Sequence, residues 1–314
     1  MHVDLDTFYV SVERAQNLQL NNKPIIVGGN PEKRGVAAAV SYEARAFGIH
    51  SGMPLKTAAR LCPQAVFVVG NHRRYREVSG SFMNILAGFS PFLEPLGIDE
   101  AFLDVTGFES LHGSVRRMVQ EIRQKIRQEL GISASIGVAG CKTAAKIASR
   151  MAKPDGFIIV REREDAGFLA PLSINSMQGI GPKTESVLRS MGITTLGGLA
   201  GAAPEKLELK LGTYGPLLAK YANGLDDRPV KPPGQAKSIS RETTFAEDTR
   251  NRSILEAALW NLSEHTGASL RKHDRQARCI SIKYASVISA PIPGPGRCLI
   301  RWIRTRRYST PVCN

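Results

Sequence analysis

The sequence predicts an α+β protein. It has a split β-α-β core with a subdomain inserted after the first strand, then a helical segment, then a small α+β domain beyond a linker. Three observations predict this. Over residues 1–140 the pattern runs strand, long excursion, two short strands, helix, strand. One segment, "SVRRMVQEIRQKIRQEL" at 114–130, is a clear amphipathic helix. A Pro-rich basic stretch, "PVKPPGQAKS" at 229–238, separates two periodic regions and reads as a linker.

Taken in order, "MHVDLDTFYV" alternates, with Val3 and Leu5 on one face and Asp4 and Asp6 on the other. This predicts a strand, followed by a helix from about Ser11. Residues 21–70 contain the apolar strand "PIIVGG", a Gly-rich bend, the run "GVAAAVSYEAR" and a short helical region at Leu55–Leu61. Residues 72–90 read as a helix. "LEPLGIDEAFLDVT" reads as two short strands joined near Gly97. In the helix at 114–130, Val115, Met118, Val119, Ile122, Ile126 and Leu130 form one apolar stripe. Ser114 is its expected N-cap and Gly131 its end. "ISASIGVAG" follows as a strand, and "KTAAKIASRMAKPDG" as a helix stopped by Pro154. Residues 166–228 are helical pieces punctuated by glycine. Past the linker come a strand-like run, a helix at about 251–273 and the strand "RCISIKYA". From Ser286 to Asn314 there is no Asp, Glu or Lys, five arginines and four prolines appear, and no helix or strand can be read.

The chain has 314 residues and a net charge of +14, which favours a polyanionic partner. The tail arginines are not its main source. No apolar run reaches the roughly 20 residues of a membrane span. The N-terminus lacks the basic and apolar regions of a signal peptide. The five cysteines are scattered, without a C-x-x-C pair, so neither a disulfide framework nor a zinc site is expected. A reducing cytoplasm is the expected compartment.

Asp99 and Glu100 are adjacent in an apolar, strand-forming stretch, where two carboxylates are costly unless neutralised. Strand neighbours point to opposite faces, so they can share a site only at a turn or strand end, which Gly97 permits. Asp4, on another strand of the same expected sheet, supplies a third carboxylate. Such a cluster suits Mg²⁺, which takes carboxylates together with substrate phosphates. The plainer reading has Asp99 capping a turn and Glu100 pairing with a basic neighbour. In "SYEARAFGI", Tyr42 and Arg45 lie three apart, on one side of a turn or helix, and an Arg fork suits phosphate oxygens. Lys142 and Lys146 share a helix face, with Lys153 past the helix end. "GIGPKTESVLRSMGITTLGGLA" (179–200) reads as a helix-hairpin-helix whose Gly179, Gly181 and Lys183 would meet a DNA phosphate without reading sequence. "LGTYGPLLAKYANG" (211–224) is a weaker second copy.

Together and in order, "HVDLDTFYVSVE", "SYEARAFGIHSGMP", "GIDEAFLDVT", "KIASRMAKPDG", "GIGPKT" and "KSISRETTF" resemble the Y-family translesion DNA polymerases, in the bacterial DNA polymerase IV branch. The resemblance runs to about residue 284. It implies a right-hand polymerase with a ferredoxin-like palm (1–17 and 78–165), small fingers (18–77) and a helical thumb (166–230). A linker (231–238) and a partial little finger (239–285) follow, with an aberrant tail after it. It implies low-fidelity, low-processivity translesion synthesis in DNA repair on primer-template DNA and dNTP, by two-metal nucleotidyl transfer. By resemblance, Asp4, Asp99 and the Leu5 carbonyl hold two Mg²⁺ ions, and Glu100 completes the site. Tyr9 is the steric gate against a 2′-hydroxyl, flanked by Phe8. Tyr42, Arg45 and Lys153 bind the triphosphate. A monomer is implied, and the family's C-terminal sliding-clamp peptide is not evident.

The sequence departs from the family at three positions near the site. Gly97 stands where Ser is usual, Ala39 where Thr or Ser is usual, and Cys141 where Asn is common. The tail suggests a reading-frame shift near residue 285. This leaves a second expectation, a catalytically impaired DNA-binding remnant of such a polymerase. A nucleotidyl cyclase also uses paired carboxylates, but the helix-hairpin-helix argues against it.

Overall fold

The computed structural model describes residues 1–232, 234–286 and 298–302. The chain divides into two compact units, Met1–Pro31 with Gly35–Pro233, and Glu32–Arg34 with Gly234–Asn314. In the first unit β1 (His2–Leu5) runs into α1 (Phe8–Gln16). An excursion follows, made of β2 (Ile25–Val27), β3 (Ala39–Val40), α2 (Tyr42–Arg45), α3 (Leu55–Leu61) and β4 (Val66–Val68). The chain returns through α4 (His72–Ala87) to β5 (Leu93–Pro95), β6 (Glu100–Leu103), α5 (Val115–Leu130), β7 (Ala134–Val138), α6 (Lys142–Met151) and β8 (Phe157–Ile159). Short helices complete the unit: α7 (Asp165–Leu169), α8 (Pro182–Ser190), α9 (Leu196–Ala200), α10 (Pro204–Leu211) and α11 (Tyr214–Ala222).

The main sheet has the order β5-β6-β1-β7-β8, which puts β1 in the middle. β1 is antiparallel to β6 and β7, and β8 is parallel to β7. The alternation of β1 sorts its side chains. Val3 and Leu5 join the core beneath α4 and α5, packed with Phe82, Met118 and Ile122. Four members of the α5 stripe, Met118, Val119, Ile122 and Ile126, are fully buried. Each contributes about 1.5–3 kcal/mol. Ser114 caps α5 by accepting from the Arg117 N–H. The excursion builds its own sheet, β3-β2-β4, over a small core of Ile26, Val40, Ala44, Ile49, Leu55, Ala58 and Cys62.

On the other face of β1, α6 lies against the sheet. Its approach depends on Gly137, the register partner of His2. A Cβ there would run into the Ala145 carbonyl and the Ser149 amide of α6. Backbone cannot move aside as a side-chain tip can. Gly137→Ala is therefore expected to destabilise the unit by about 3 kcal/mol, the upper end for overpacking, read as a lower urea midpoint.

Helix α1 starts at Phe8, three residues before the expected Ser11. Asp6 is the reason. Its carboxylate accepts from Ser133 Oγ, Ser135 Oγ and the Asp155 N–H, all at 2.8 Å. Thr7 then turns through a left-handed conformation (φ 41°) and the helix begins at once.

The second unit has β9 (Glu242–Thr244), α12 (Arg252–Lys272), β10 (Ile282–Ser286) and β11 (Cys298–Trp302). Asn251 caps α12, accepting from the Ser253 and Ile254 N–H groups. Leu262 packs with Phe245, Leu255 and Leu259. β11 corrects the expectation that no strand follows residue 286. It pairs antiparallel with both β10 and β9 as the central strand. A five-residue strand flanked by prolines leaves no period long enough to read. The rest of the expected aberrant tail lies outside the described residues.

Candidate active site

Asp4 and Glu100 come together at the middle of the main sheet, a ligand atom of each within 4.8 Å of the other, and Asp99 stands next to Glu100 but outside that close set. Asp4 and Glu100 are register partners across β1 and β6. Asp99 sits in the bend just before β6, and its carbonyl accepts the Leu5 N–H at 2.9 Å. The bend removes the strict alternation of faces. Gly97 lies in the same bend, where a Cβ would be 3.4 Å from Asp99 Oδ1, an ordinary contact. No steric need for glycine exists there, and a serine would fit.

Two lysines enter this cluster from α6 and just beyond it. Lys146 Nζ donates to Glu100 Oε2 at 2.5 Å, and Lys153 Nζ to Asp4 Oδ1 at 2.6 Å. Lys142 goes elsewhere, to Glu94 Oε2 at 2.5 Å, an oxygen that also accepts the Lys231 N–H. Asp99 has no ion pair among the described residues. Burial, and then the charge of Glu100, push its carboxyl above the ordinary value. Burial likewise raises Asp4, against the opposing pull of Lys153. The donor set is hard oxygen, its negative charge is only partly neutralised, and ammonium groups lie on two of its three carboxylates. These features fit hard divalent cations. Asp4 and Glu100, with Asp99 beside Glu100, are the carboxylates that could hold them.

His2 also borders the cluster. One ligand atom each from His2, Asp4 and Glu100 lie within 4.8 Å of one another. Its ring is wholly buried, edge-on to Phe102, and burial pushes its pKa down. The motif reading passed over His2, although the period-2 spacing to Asp4 is in the sequence. It also grouped Asp4 with Asp6. The structure separates the two, since Asp6 is consumed by its clamp on Ser133, Ser135 and Asp155.

At the start of α1, Tyr9 is half-buried and stacks on Tyr75, ring centroids 4.1 Å apart and 14° from parallel. His72 meets it edge-on at 6.0 Å. The Tyr75 hydroxyl is tied to Glu13 Oε1 at 2.5 Å. Phe8 flanks Tyr9, ring centroids 5.6 Å apart. It is buried in the core behind Tyr9, so it backs that ring and is not itself presented to a ligand. Tyr42 opens α2 behind the Ser41 N-cap. Its hydroxyl is buried without a hydrogen-bond partner among the described residues, and burial pushes its pKa up to about 12. Arg45 lies over the Tyr42 ring, 5.1 Å from its centroid, with Nε donating to the Val40 carbonyl. Cys141 takes over a capping role, its Sγ accepting the Ala144 N–H at the start of α6.

Gly179 has φ 97° and Tyr214 Oη where a Cβ would go, so the expected second copy packs against the first. Gly181 and Lys183 are exposed at the start of α8, where no side chain caps the helix. The element before Gly179 is a single 3₁₀ turn, Ile174–Ser176.

Asp226 binds the segment after α11 to the start of α6. Its buried carboxylate accepts from Thr143 N–H (3.0 Å), Thr143 Oγ1 (2.7 Å) and both arms of Arg228. Burial alone would raise its pKa. The Arg228 and Thr143 bonds outweigh that, so the net shift is downward. A carboxylate depressed on folding adds stability above its unfolded pKa of about 3.9, and loses it as pH falls through the folded value. Asp226→Asn is expected to cost about 2 kcal/mol at pH 7. The gap to wild type should stay level down to about pH 5 and close below about pH 4, in urea titrations across pH.

Fold and site together define a class of protein. A solved Y-family DNA polymerase chimera, Dbh-Dpo4(243-245)-Dbh, superimposes with a TM-score of 0.81 at 26% identity, covering 96% of each chain. DinB from Sulfolobus solfataricus does so at 0.68 and 27% identity, over 98% of this chain and 87% of that one. The fold is that of the Y-family DNA polymerases. A profile of the impB/mucB/samB family matches residues 3–150, and that of its C-terminal domain matches 236–307, well into the aperiodic tail. DNA polymerase IV of Dehalococcoides mccartyi is 61% identical over 283 residues, 90% of this chain and 73% of the relative. DNA polymerase IV of Desulfatibacillum aliphaticivorans is 42% identical over 292 residues, 92% and 73%. The chain belongs to the impB/mucB/samB family.

Proposed function

We propose that the chain is a DNA-directed DNA polymerase of the translesion type, which joins a dNTP to a primer 3′-hydroxyl at Asp4, Asp99 and Glu100. The observation that carries this is the meeting of Asp4 on β1 with Glu100 at the start of β6, with Asp99 beside Glu100 in the bend and lysines on Asp4 and Glu100. Two Mg²⁺ ions, when bound, would activate the 3′-oxygen and stabilise the leaving pyrophosphate. Asp4, Asp99 and the Leu5 carbonyl would hold the ions, and Glu100 would complete the metal site at the primer end. Lys153 is poised to exchange Asp4 for the triphosphate, whose other contacts are the unpartnered Tyr42 hydroxyl and Arg45. Tyr9 lies under the sugar and rejects a 2′-hydroxyl.

The domain bounds follow the same reading: palm 1–17 and 78–165, fingers 18–77, thumb 166–230, then linker and little finger. Gly179, Gly181 and Lys183 hold the DNA backbone through N–H groups and charge, without reading bases. The small core of the fingers grips the nascent pair loosely, so selection rests mostly on base pairing. That supports low fidelity and tolerance of damaged templates. Among the described residues no helix is long and apolar enough to cross a membrane.

Primer extension with Mg²⁺ on undamaged and damaged templates tests the proposal. Metal-dependent extension on both is expected. DNA binding without extension would leave only an impaired remnant. Cyclic nucleotide made from ATP or GTP alone would replace the reading with a cyclase.

A further inference from the structure

Lys153 owes its place to a short turn between α6 and β8, residues 153–156, and that turn is held from outside. Its own backbone does little, since the Lys153 N–H reaches the Arg150 carbonyl only at 3.4 Å. Asp155 adopts a left-handed conformation (φ 50°), which costs a residue with a side chain more than the right-handed one. Three groups support it there. Its N–H donates to Asp6 Oδ2 at 2.8 Å. Arg123 Nη2 donates both to its carbonyl and, at 2.8 Å, to its Oδ1. Arg127 donates to its Oδ2. Gly156 completes the turn, and a Cβ there would meet the Ala152 carbonyl at the end of α6. Arg123 is the unusual member. It lies on α5, across the sheet from α6, and its side chain is only 20% exposed. Its Nε is buried without a hydrogen-bond partner among the described residues. A guanidinium with no further task would turn that N–H to water. Instead it lies 5.6 Å from the ring centroid of Phe157 in β8, with Nη2 on the turn. Two residues before Asp155, the turn presents Lys153 Nζ to Asp4 Oδ1 at 2.6 Å.

We propose that Arg123 is a positioning residue for Lys153. By holding both the carbonyl and the carboxylate of Asp155, it fixes where the Lys153 ammonium meets the triphosphate of an incoming dNTP. A lysine is a point charge on a flexible stem, so its placement depends on how firmly its backbone is held. The guanidinium of Arg127 shares the Asp155 carboxylate but is not bonded to the carbonyl. The two arginines therefore differ in what they position. Without Arg127, the Asp155 N–H and carbonyl keep their partners. Without Arg123, the carbonyl is freed and the turn loosens. The inference rests on the proposed triphosphate role of Lys153.

Equilibrium binding of dNTP to the full chain, with Mg²⁺ and a dideoxy-terminated primer-template, tests this without turnover. Arg123→Gln should raise the dNTP dissociation constant about tenfold, the scale of one hydrogen bond to a charged group. Arg127→Gln removes the same positive charge and the other arm on Asp155, and should bind dNTP like wild type. Lys153→Met should weaken dNTP binding at least as much as Arg123→Gln, and adding Arg123→Gln to it should change nothing further. Binding of the primer-template itself should be unchanged by Arg123→Gln. An Arg123→Gln protein with wild-type affinity for dNTP overturns the proposal. So do equal losses from Arg123→Gln and Arg127→Gln, which would mark lost charge alone. A loss in the double variant that adds to that of Lys153→Met also overturns it, because Arg123 would then be structural. Thermal melts show which variants are folded at the assay temperature. Where Arg123→Gln is not, Arg123→Lys takes its place, since it keeps the charge and the stem beside Phe157 but loses the fork. Its dissociation constant should rise about threefold, and wild-type affinity would again overturn the proposal. A Lys153→Met protein with wild-type affinity for dNTP would instead fail the triphosphate reading of Lys153.

Discussion

Asp99→Ala is expected to abolish primer extension while leaving the fold and DNA binding intact. Asp99 is the carboxylate of the cluster with no lysine on it among the described residues. Its charge is therefore the most available to a cation. Losing it removes about 4 kcal/mol or more of charge stabilisation in the transition state, about a thousandfold in rate. The backbone role of Asp99 survives, since its carbonyl still accepts the Leu5 N–H. The melting temperature should hold or rise, because a half-buried carboxylate beside Glu100 is itself unfavourable. Single-turnover extension and a DNA-binding titration on the same preparation check both halves. Extension at wild-type rate would remove Asp99 from the chemistry.

Tyr9→Ala should give the largest change in substrate choice. The Tyr9 ring is held rigidly, stacked on Tyr75 with His72 at its edge, and Phe8 behind it. A ring so supported cannot yield to a 2′-hydroxyl. Such a clash costs about 3 kcal/mol, so the dNTP over NTP preference in kcat/KM should fall about a hundredfold. Losing the stacked pair costs about 1 kcal/mol of stability. Competing dNTP and NTP incorporation opposite one template base measures the ratio. An unchanged ratio would place the sugar elsewhere.

Much of the fold is legible because its signals are local. The α5 stripe, its Ser114 cap and Gly131 end are all written within eighteen consecutive residues, and the helix forms where they say. The bend that lets Asp99 and Glu100 share a site is announced by Gly97. Other features depend on partners far along the chain. Asp6 looks like a twin of Asp4 by alternation, but Ser133, Ser135 and Asp155 claim it, and that shifts the start of α1. Lys142, Lys146 and Lys153 read as one basic group, whereas each meets a different carboxylate. Strand β11 is too short and too close to prolines to show a period of its own.

The sequence by itself determined the split β-α-β plan, the resemblance to Y-family polymerases and the carboxylates of the candidate site. Residue type, spacing and period are enough for those, because each acts over a few neighbouring positions. Only the tertiary structure decided which charges meet. His2, Glu100, Lys146 and Ser149 belong to β1, β6 and α6, and they come into contact because Gly137 lets α6 lie against the sheet. Burial there removes the water that would otherwise level such interactions. The pairing of charges around the cluster is thus a property of packing, which no single stretch of the sequence contains.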